Sequence, residues 1–226
     1  QRVMGNLFYR GLILRQPVFV GDTITTTTRV VALRQNKNKA GRPASGMVAL
    51  EIHTTNQRGE TVLLFWRCPM IPCRDPAAET GHEDDFDMMP SEISQVDLMA
   101  SIPKWQFDAL KREPDGFTPG EKIKIEARDT VSLAPELVRL TQNLAMTHTD
   151  AQRSVYGKRL VYGGHTISMA ASQLSREIPG LVTLLGWYHC DHVAPVFEQD
   201  ILESAFTVID RTPTDGAAVL KLQVEV

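Results

Sequence analysis

Residues 17–22 read Pro-Val-Phe-Val-Gly-Asp, and residues 195–200 read Pro-Val-Phe-Glu-Gln-Asp, an offset of 178 (195 minus 17). Each hexapeptide leads into an alternating, β-branched run: Thr23 to Val31 in the first case, Ile201 to Ile209 in the second. A polar loop follows in both, then a second alternating run, Gly46 to Ile52 and Gly216 to Leu222. Alternation with a period of two is the pattern of a strand with one buried face. The order of proline, acidic turn and two long strands therefore occurs twice, and the chain is read as two copies of one β-rich module. The second runs lie at an offset of 170 (216 minus 46), which predicts a loop 8 residues longer in the first copy, within Asn36 to Pro43. In the first copy a hairpin is expected next, with Asn56-Gln57-Arg58-Gly59 as its turn and Glu60 to Pro69 as its return strand.

Aligning the copies predicts an N-terminal module over 1–74, a linker over 75–118 and a C-terminal module over 119–226. It also leads to the expectation that the first copy's counterpart of the residues up to 178 would precede Gln1, and that a last strand of the second copy would follow Val226. The linker is rich in acids and prolines, with five acidic residues from Glu79 to Asp87, and reads as a surface wrap with a short helix within Ile93 to Lys111.

Bulk properties narrow the function. A formal net charge of -3 with scattered basic residues gives no field to hold a nucleic acid backbone. No apolar run approaches the ~20 residues of a membrane helix. The cysteines Cys68, Cys73 and Cys190 form neither a CxxC pair nor a zinc pattern, which suits a reduced, cytoplasmic setting. None of the six histidines pairs at i, i+4 with an acid, so no metal is expected.

The segment before the second repeat carries the chemistry. Glu121 to Val131 alternates and reads as a strand. Pro135 sits at a first-turn position, and Glu136 to Ala145 reads as a helix. The segment Asn143-Leu144-Ala145-Met146-Thr147-His148-Thr149-Asp150 follows, and then Leu160-Val161-Tyr162-Gly163-Gly164-His165-Thr166-Ile167-Ser168. From Gly164 the apolar residues Ile167, Ala171, Leu174 and Ile178 recur at helical spacing until Pro179-Gly180 stops the helix. A glycine pair thus opens an apolar-faced helix. Such an end offers unpaired backbone N–H groups and the positive end of the helix dipole, which suits a developing oxyanion such as a thioester enolate. Each residue also has a plainer reading: His148 as a structural histidine at a helix end, Asp150 as a cap, Tyr162 and His165 as packing residues.

The N-x-A-x-x-H-x-D segment, the later V-Y-G-G-H-x-I-S helix start and the P-V-F-x-x-D strand lead together resemble the MaoC-like (R)-specific enoyl-CoA hydratases of the hotdog superfamily. The likeness is strongest to the two-hotdog branch that includes mesaconyl-CoA hydratase (β-methylmalyl-CoA dehydratase). The resemblance implies an α+β double hotdog in which antiparallel sheets each wrap a central helix, residues 163–178 forming that helix in the second copy. It implies reversible hydration of a 2-enoyl-CoA thioester, which is a substrate rather than a cofactor, so no cofactor is implied. It also implies association of whole chains as a homodimer. Residue by residue, His148 matches the catalytic histidine. Asn143 stands where the family has an aspartate, a departure, because an amide cannot accept a proton from water as a carboxylate can. A carboxylate should assist His148: Asp150 is the candidate in this segment and the first module the other source, with Asn143 then positioning water rather than deprotonating it. Tyr162, Gly163, Gly164 and His165 fall at the substrate-binding helix start, where a glycine N–H would polarise the thioester carbonyl. A carboxylated acyl group would need a cation, and Arg153, Lys158 and Arg159 are close in sequence. Two other outcomes stay open: a hotdog acyl-CoA thioesterase, and a degenerate hotdog acting as a binding or assembly subunit, for which Asn143 is the main support.

Overall fold

The computed structural model describes residues 3–106, 116–178 and 180–226. Its strands are β1 (Gly5–Leu14), β2 (Ile24–Gln35), β3 (Ser45–Asn56), β4 (Thr61–Pro72), β5 (Lys122–Ile123), β6 (Asp129–Thr130), β7 (Gly186–Asp191), β8 (Ile201–Leu202), β9 (Ala205–Thr214) and β10 (Ala217–Glu225). Its helices are α1 (Gln95–Ala100), α2 (Ala134–Leu140), α3 (Met146–Thr149) and α4 (Gly163–Glu177). Two compact units result. Unit 1 takes Gln1–Pro103, Ala145–Gly157 and Leu184–Pro195; unit 2 takes Lys104–Leu144, Lys158–Thr183 and Val196–Val226. The units interleave along the sequence, whereas the expected divisions 1–74, 75–118 and 119–226 run in sequence order. No helix among the described residues is long and apolar enough to cross a membrane.

Unit 1 is a five-stranded antiparallel sheet in the order β2-β3-β4-β1-β7. One face is packed by Ala32, Ala49 and Met89 with Phe8, Val31, Trp66 and Phe86. The acidic linker straps the outer edge of β2. The Leu33 N–H donates to Asp84, the Arg34 guanidinium donates twice to the Asp84 carbonyl, and Arg34 lies 4.6 Å above the Phe86 ring. An exposed edge strand invites pairing with another chain, and the strap covers part of it. Within the expected linker helix, α1 is observed; residues 107–111 of that expectation lie outside the described residues.

In unit 2, α4 buries Ala170 and Leu174, with its C-cap residue Ile178, against Ile123, Ile125, Phe206 and Val208. Burying each such aliphatic side chain is worth about 1.5–3 kcal/mol, so this face anchors the helix. The buried stripe includes Ala170 and Gln173 rather than the expected Ile167 and Ala171. Pro179, expected to stop the helix, lies outside the described residues. A second core joins Val131, Ala134, Val161 and Leu202.

The repeat is visible in backbone detail. In the first copy the Phe19 N–H donates to Asp22 Oδ2 at 3.0 Å; in the second the Phe197 N–H donates to Asp200 Oδ2 at 2.8 Å. The third turn residue is left-handed in both, Gly21 at φ 96° and Gln199 at φ 74°. A side chain is rarely tolerated there, so Gln199 shows the turn geometry overriding local preference. The register of β2 on β3 slips at Val31, and that of β9 on β10 slips at Ile209, again 178 apart. The strands β1 and β7 extend the pattern. Phe8 and Ile13 lie 178 residues before Gly186 and Asp191, and Phe8 pairs with Asp191 while Ile13 pairs with Gly186. Equivalent strands of the two copies thus pair antiparallel about a local two-fold.

Three expectations change. Gln35 pairs with Gly46 and Pro213 with Ala218, so the second strands are offset by 172 (218 minus 46), and the first loop is longer by 6 residues (178 minus 172), not 8. A shift of two leaves every side chain on its own face, so the hydrophobic pattern was blind to it. Glu121 to Val131 forms only the short strands β5 and β6. The helix expected over Glu136 to Ala145 ends at Leu140, because Gln142 turns left-handed at φ 57°, and α3 is separate.

Candidate active site

The expected site residues fall into two groups, one in each unit. In unit 1, His148 stands on α3, half-buried, its N–H donating to the Ala145 carbonyl at 2.9 Å. Asp150 closes that helix. Its N–H donates to the Met146 carbonyl at 2.9 Å, its Oδ1 accepts the Gln152 N–H at 2.9 Å, and its Oδ2 lies 3.5 Å from Arg153 Nε. The Asp150 carboxylate is therefore committed to a turn and an arginine, which fits a cap better than a proton carrier.

In unit 2, Tyr162, Gly163, Gly164 and His165 come together at the start of α4. Tyr162 is the N-cap residue in an extended conformation, and among the described residues no side chain caps the helix. The first-turn N–H groups of a 15-residue helix are thereby left without the usual side-chain acceptor, an arrangement able to receive an oxyanion. Downstream hydroxyls fold back onto the first carbonyls, Thr166 Oγ1 onto Gly163 at 2.7 Å and Ser168 Oγ onto Gly164 at 2.7 Å. His165 is half-buried with its Nδ1 unpartnered among the described residues, and burial pushes its pKa below the ordinary histidine value. Burial disfavours its charged imidazolium form. Asn143 also lies in unit 2, just past α2, with its N–H donating to the Val138 carbonyl at 3.1 Å.

The glycine pair has a use that spacing did not reveal. A Cβ on Gly164 would stand 2.5–2.7 Å from the phenol ring atoms of Tyr162, so the ring occupies the space a side chain would need. Helix propensity alone favours alanine over glycine by about 0.8–1.0 kcal/mol. Gly164→Ala is expected to forfeit that gain by displacing the ring. Added to Tyr162→Ala, the same substitution should stabilise. A double-mutant cycle by urea unfolding measures this, with a coupling of about 1 kcal/mol expected; additive effects would mean that the ring and Gly164 are independent.

The cations named from sequence are mostly spoken for. Arg159 donates to Glu198 at 2.6 and 3.0 Å, Arg153 faces Asp150, and the Lys158 ammonium sits 3.7 Å above the Phe197 ring. Among the described residues, no group of three or more His, Cys, Asp or Glu side chains is arranged to hold a metal ion. Sequence reading missed the clamp on α4. The fully buried Gln173 donates to Asp129 Oδ2 at 2.9 Å and to the Leu202 carbonyl at 3.0 Å, and Arg176 donates to both oxygens of Asp129. The Arg176 guanidinium and then the Gln173 amide hold the Asp129 carboxyl below its ordinary pKa.

No protein-family model matches the chain. A mesaconyl-CoA hydratase from Cereibacter sphaeroides is 30% identical over 230 residues, spanning 98% of this chain and 66% of that protein. The chain thus covers just under two thirds of the length of that curated relative. Among solved structures, a conserved hypothetical protein from Mycobacterium tuberculosis, described as having a double hotdog fold, is 38% identical with a TM-score of 0.86, over 99% of this chain and 68% of that one. A putative MaoC domain dehydratase from Chloroflexus aurantiacus is 26% identical with a TM-score of 0.77, over 99% of this chain and 66% of that one. The antiparallel sheets, the helix α4 packed on its strands and the duplicated Pro-Val-Phe turn are accordingly those of an α+β double hotdog, and the chain belongs to the double-hotdog proteins, with a MaoC domain dehydratase and a mesaconyl-CoA hydratase among those it is similar to.

Proposed function

We propose that the chain catalyses the reversible addition of water across the double bond of a 2-enoyl-CoA thioester. The observation that carries this reading is the uncapped, glycine-led start of α4 beside the Tyr162 ring. Hydration passes through an enolate-like state, and backbone N–H groups aimed at the thioester oxygen stabilise charge that develops only then. In this mechanism His148 orients a water for attack at the β-carbon and takes its proton, and in reverse protonates the leaving hydroxyl. The role assigned to Asn143 is to position water by hydrogen bonding rather than to deprotonate it. Asp150 fixes the turn behind α3 and moves no proton. The acyl group is a branched C4–C5 dicarboxylic one such as mesaconyl, a choice supported by the name of the hydratase relative. The reaction needs no resident metal or cofactor, and the protein acts as a homodimer in the cytoplasm.

The test is direct. The protein is incubated with crotonyl-CoA and with mesaconyl-CoA, following loss of the enoyl-thioester absorbance and, in parallel, release of free CoA by a thiol reagent. Loss of absorbance without CoA release is expected. CoA release would favour the thioesterase reading. Inertness on both thioesters would favour a binding or assembly subunit, the reading that Asn143 supports.

A further inference from the structure

The phenol of Tyr162 lies over the first turn of α4. A Cβ on Gly164 would stand 2.5 Å from Tyr162 Cζ, 2.6 Å from its hydroxyl oxygen and 2.7 Å from Cε1. The hydroxyl end of the ring, rather than the end nearest the backbone, is therefore what Gly164 makes room for. A carbon–carbon bond is about 1.5 Å long, so the phenol oxygen lies within about 4 Å of the Gly164 Cα. In a helix the Cα–Cβ bond tilts toward the N-terminus, so the ring stands on the side to which the first N–H groups point. Of those groups, the His165 N–H is spent on the Tyr162 carbonyl at 2.8 Å. The Gly163 and Gly164 N–H groups have no acceptor among the described residues. Tyr162 and the whole of α4 belong to unit 2, so the arrangement is set within one body.

Filling space does not call for a hydroxyl. Phenylalanine would cover Gly164 with the same ring, and alanine at 164 would favour the helix by about 0.8–1.0 kcal/mol. Tyrosine at 162 and glycine at 164 together supply an O–H donor held beside two N–H donors, at the positive end of a 15-residue helix. We propose that Tyr162 is a further catalytic residue, whose O–H donates to the thioester oxygen as the enolate forms. This rests on the hydratase reading, to which it adds a side-chain donor beside the glycine N–H. As a C–O bond forms between water and the β-carbon, the double-bond pair shifts to join the α-carbon to the carbonyl carbon, and the carbonyl pair moves onto oxygen. The proton that water loses goes to the base, and the α-carbon takes up a proton when the enolate collapses. The phenol keeps its own proton throughout. Its hydrogen bond strengthens only as charge develops on the oxygen, so it acts on kcat rather than on binding.

The experiment starts from Tyr162→Phe, which keeps the ring over Gly164 and removes only the O–H. On crotonyl-CoA and mesaconyl-CoA it is expected to lower kcat about 100-fold and to leave KM within about threefold, the effect of losing one oxyanion donor. Its thermal midpoint should match that of the wild type. A ring that only packs would give an unchanged kcat, which overturns the proposal. A loss carried wholly by KM would assign the hydroxyl to ground-state binding and overturn it as well. Acetoacetyl-CoA adds a readout that needs no turnover, because its enolate has a near-ultraviolet band that the keto form lacks. At one pH the ratio of enolate to keto form is expected to be about 100-fold higher on the wild type than on Tyr162→Phe. A wild type inert on both enoyl thioesters defeats the hydratase reading. If that protein still raises the enolate band, and Tyr162→Phe does not, the phenol donor stands without it. A wild type that raises no enolate band, or two proteins that raise it equally, refutes the phenol donor.

Discussion

His148→Ala is expected to lower kcat/KM for enoyl-CoA hydration by about 10³-fold while leaving the fold intact. A positioned acid or base contributes roughly 10²–10⁴ to such reactions. An imidazole is the one side chain whose ordinary pKa lets it both take and return a proton near pH 7. The magnitude is set at the middle of that range rather than its lower end because no carboxylate on α3 can substitute. Asp150 spends Oδ1 on the Gln152 N–H and faces Arg153 with Oδ2. Asp150→Asn keeps the geometry of that turn, since a side-chain carbonyl still accepts the Gln152 N–H. It should therefore cost less than about tenfold, mainly in KM, as the loop around α3 loosens. The two variants are compared with wild type on crotonyl-CoA and mesaconyl-CoA, with circular dichroism and the thermal midpoint as checks on folding. A folded His148→Ala protein at the wild-type rate would remove His148 from the chemistry. A loss in Asp150→Asn as deep as that in His148→Ala would make Asp150 the partner that carries the proton.

How far the sequence led can be judged from particular residues. The duplicated Pro-Val-Phe turn was legible because its aspartate does the same backbone work twice, in Asp22 and Asp200. The offset of the second strands was misread by two because a period-two pattern looks the same after a shift of two. The strand β1 drew no notice, although it is the first copy's equivalent of β7 and pairs with it. The helix over Glu136 to Ala145 was drawn too long because nothing in local propensity marks Gln142 as left-handed. At the candidate site the glycine-led helix was legible from Gly163 and Gly164, whereas the reason for the second glycine, the Tyr162 ring, was not.

The largest expected effect on stability comes from Gln173→Glu. Gln173 is fully buried in α4, and both acceptors of its amide, Asp129 Oδ2 and the Leu202 carbonyl, demand a donor. The substitution changes one atom and sets a second carboxylate, at a fully buried position, against the first. An uncompensated buried charge costs about 3–5 kcal/mol. For a chain of this length that lowers the thermal midpoint by roughly 6–20 °C. The sign with pH follows from linkage. Burial and the Asp129 charge raise the folded pKa of the introduced carboxyl, so the deficit is full above that raised value and disappears below the ordinary glutamate value near ~4.3. Gln173→Leu separates charge from lost hydrogen bonding, should cost about 1–3 kcal/mol, and should show no such pH dependence. The consequence reaches the active site, because Gln173 lies ten residues along α4 from Gly163, about 15 Å of helix. The clamp on Asp129 fixes the axial position and rotation of α4, and a slip of one residue would turn its start by about 100°. Thermal unfolding of both variants across pH 4–8 decides the matter: a Gln173→Glu protein within 1 kcal/mol of wild type at pH 7 would mean that the amide is not sealed against Asp129, and that the apolar stripe of α4 alone sets where its glycines stand.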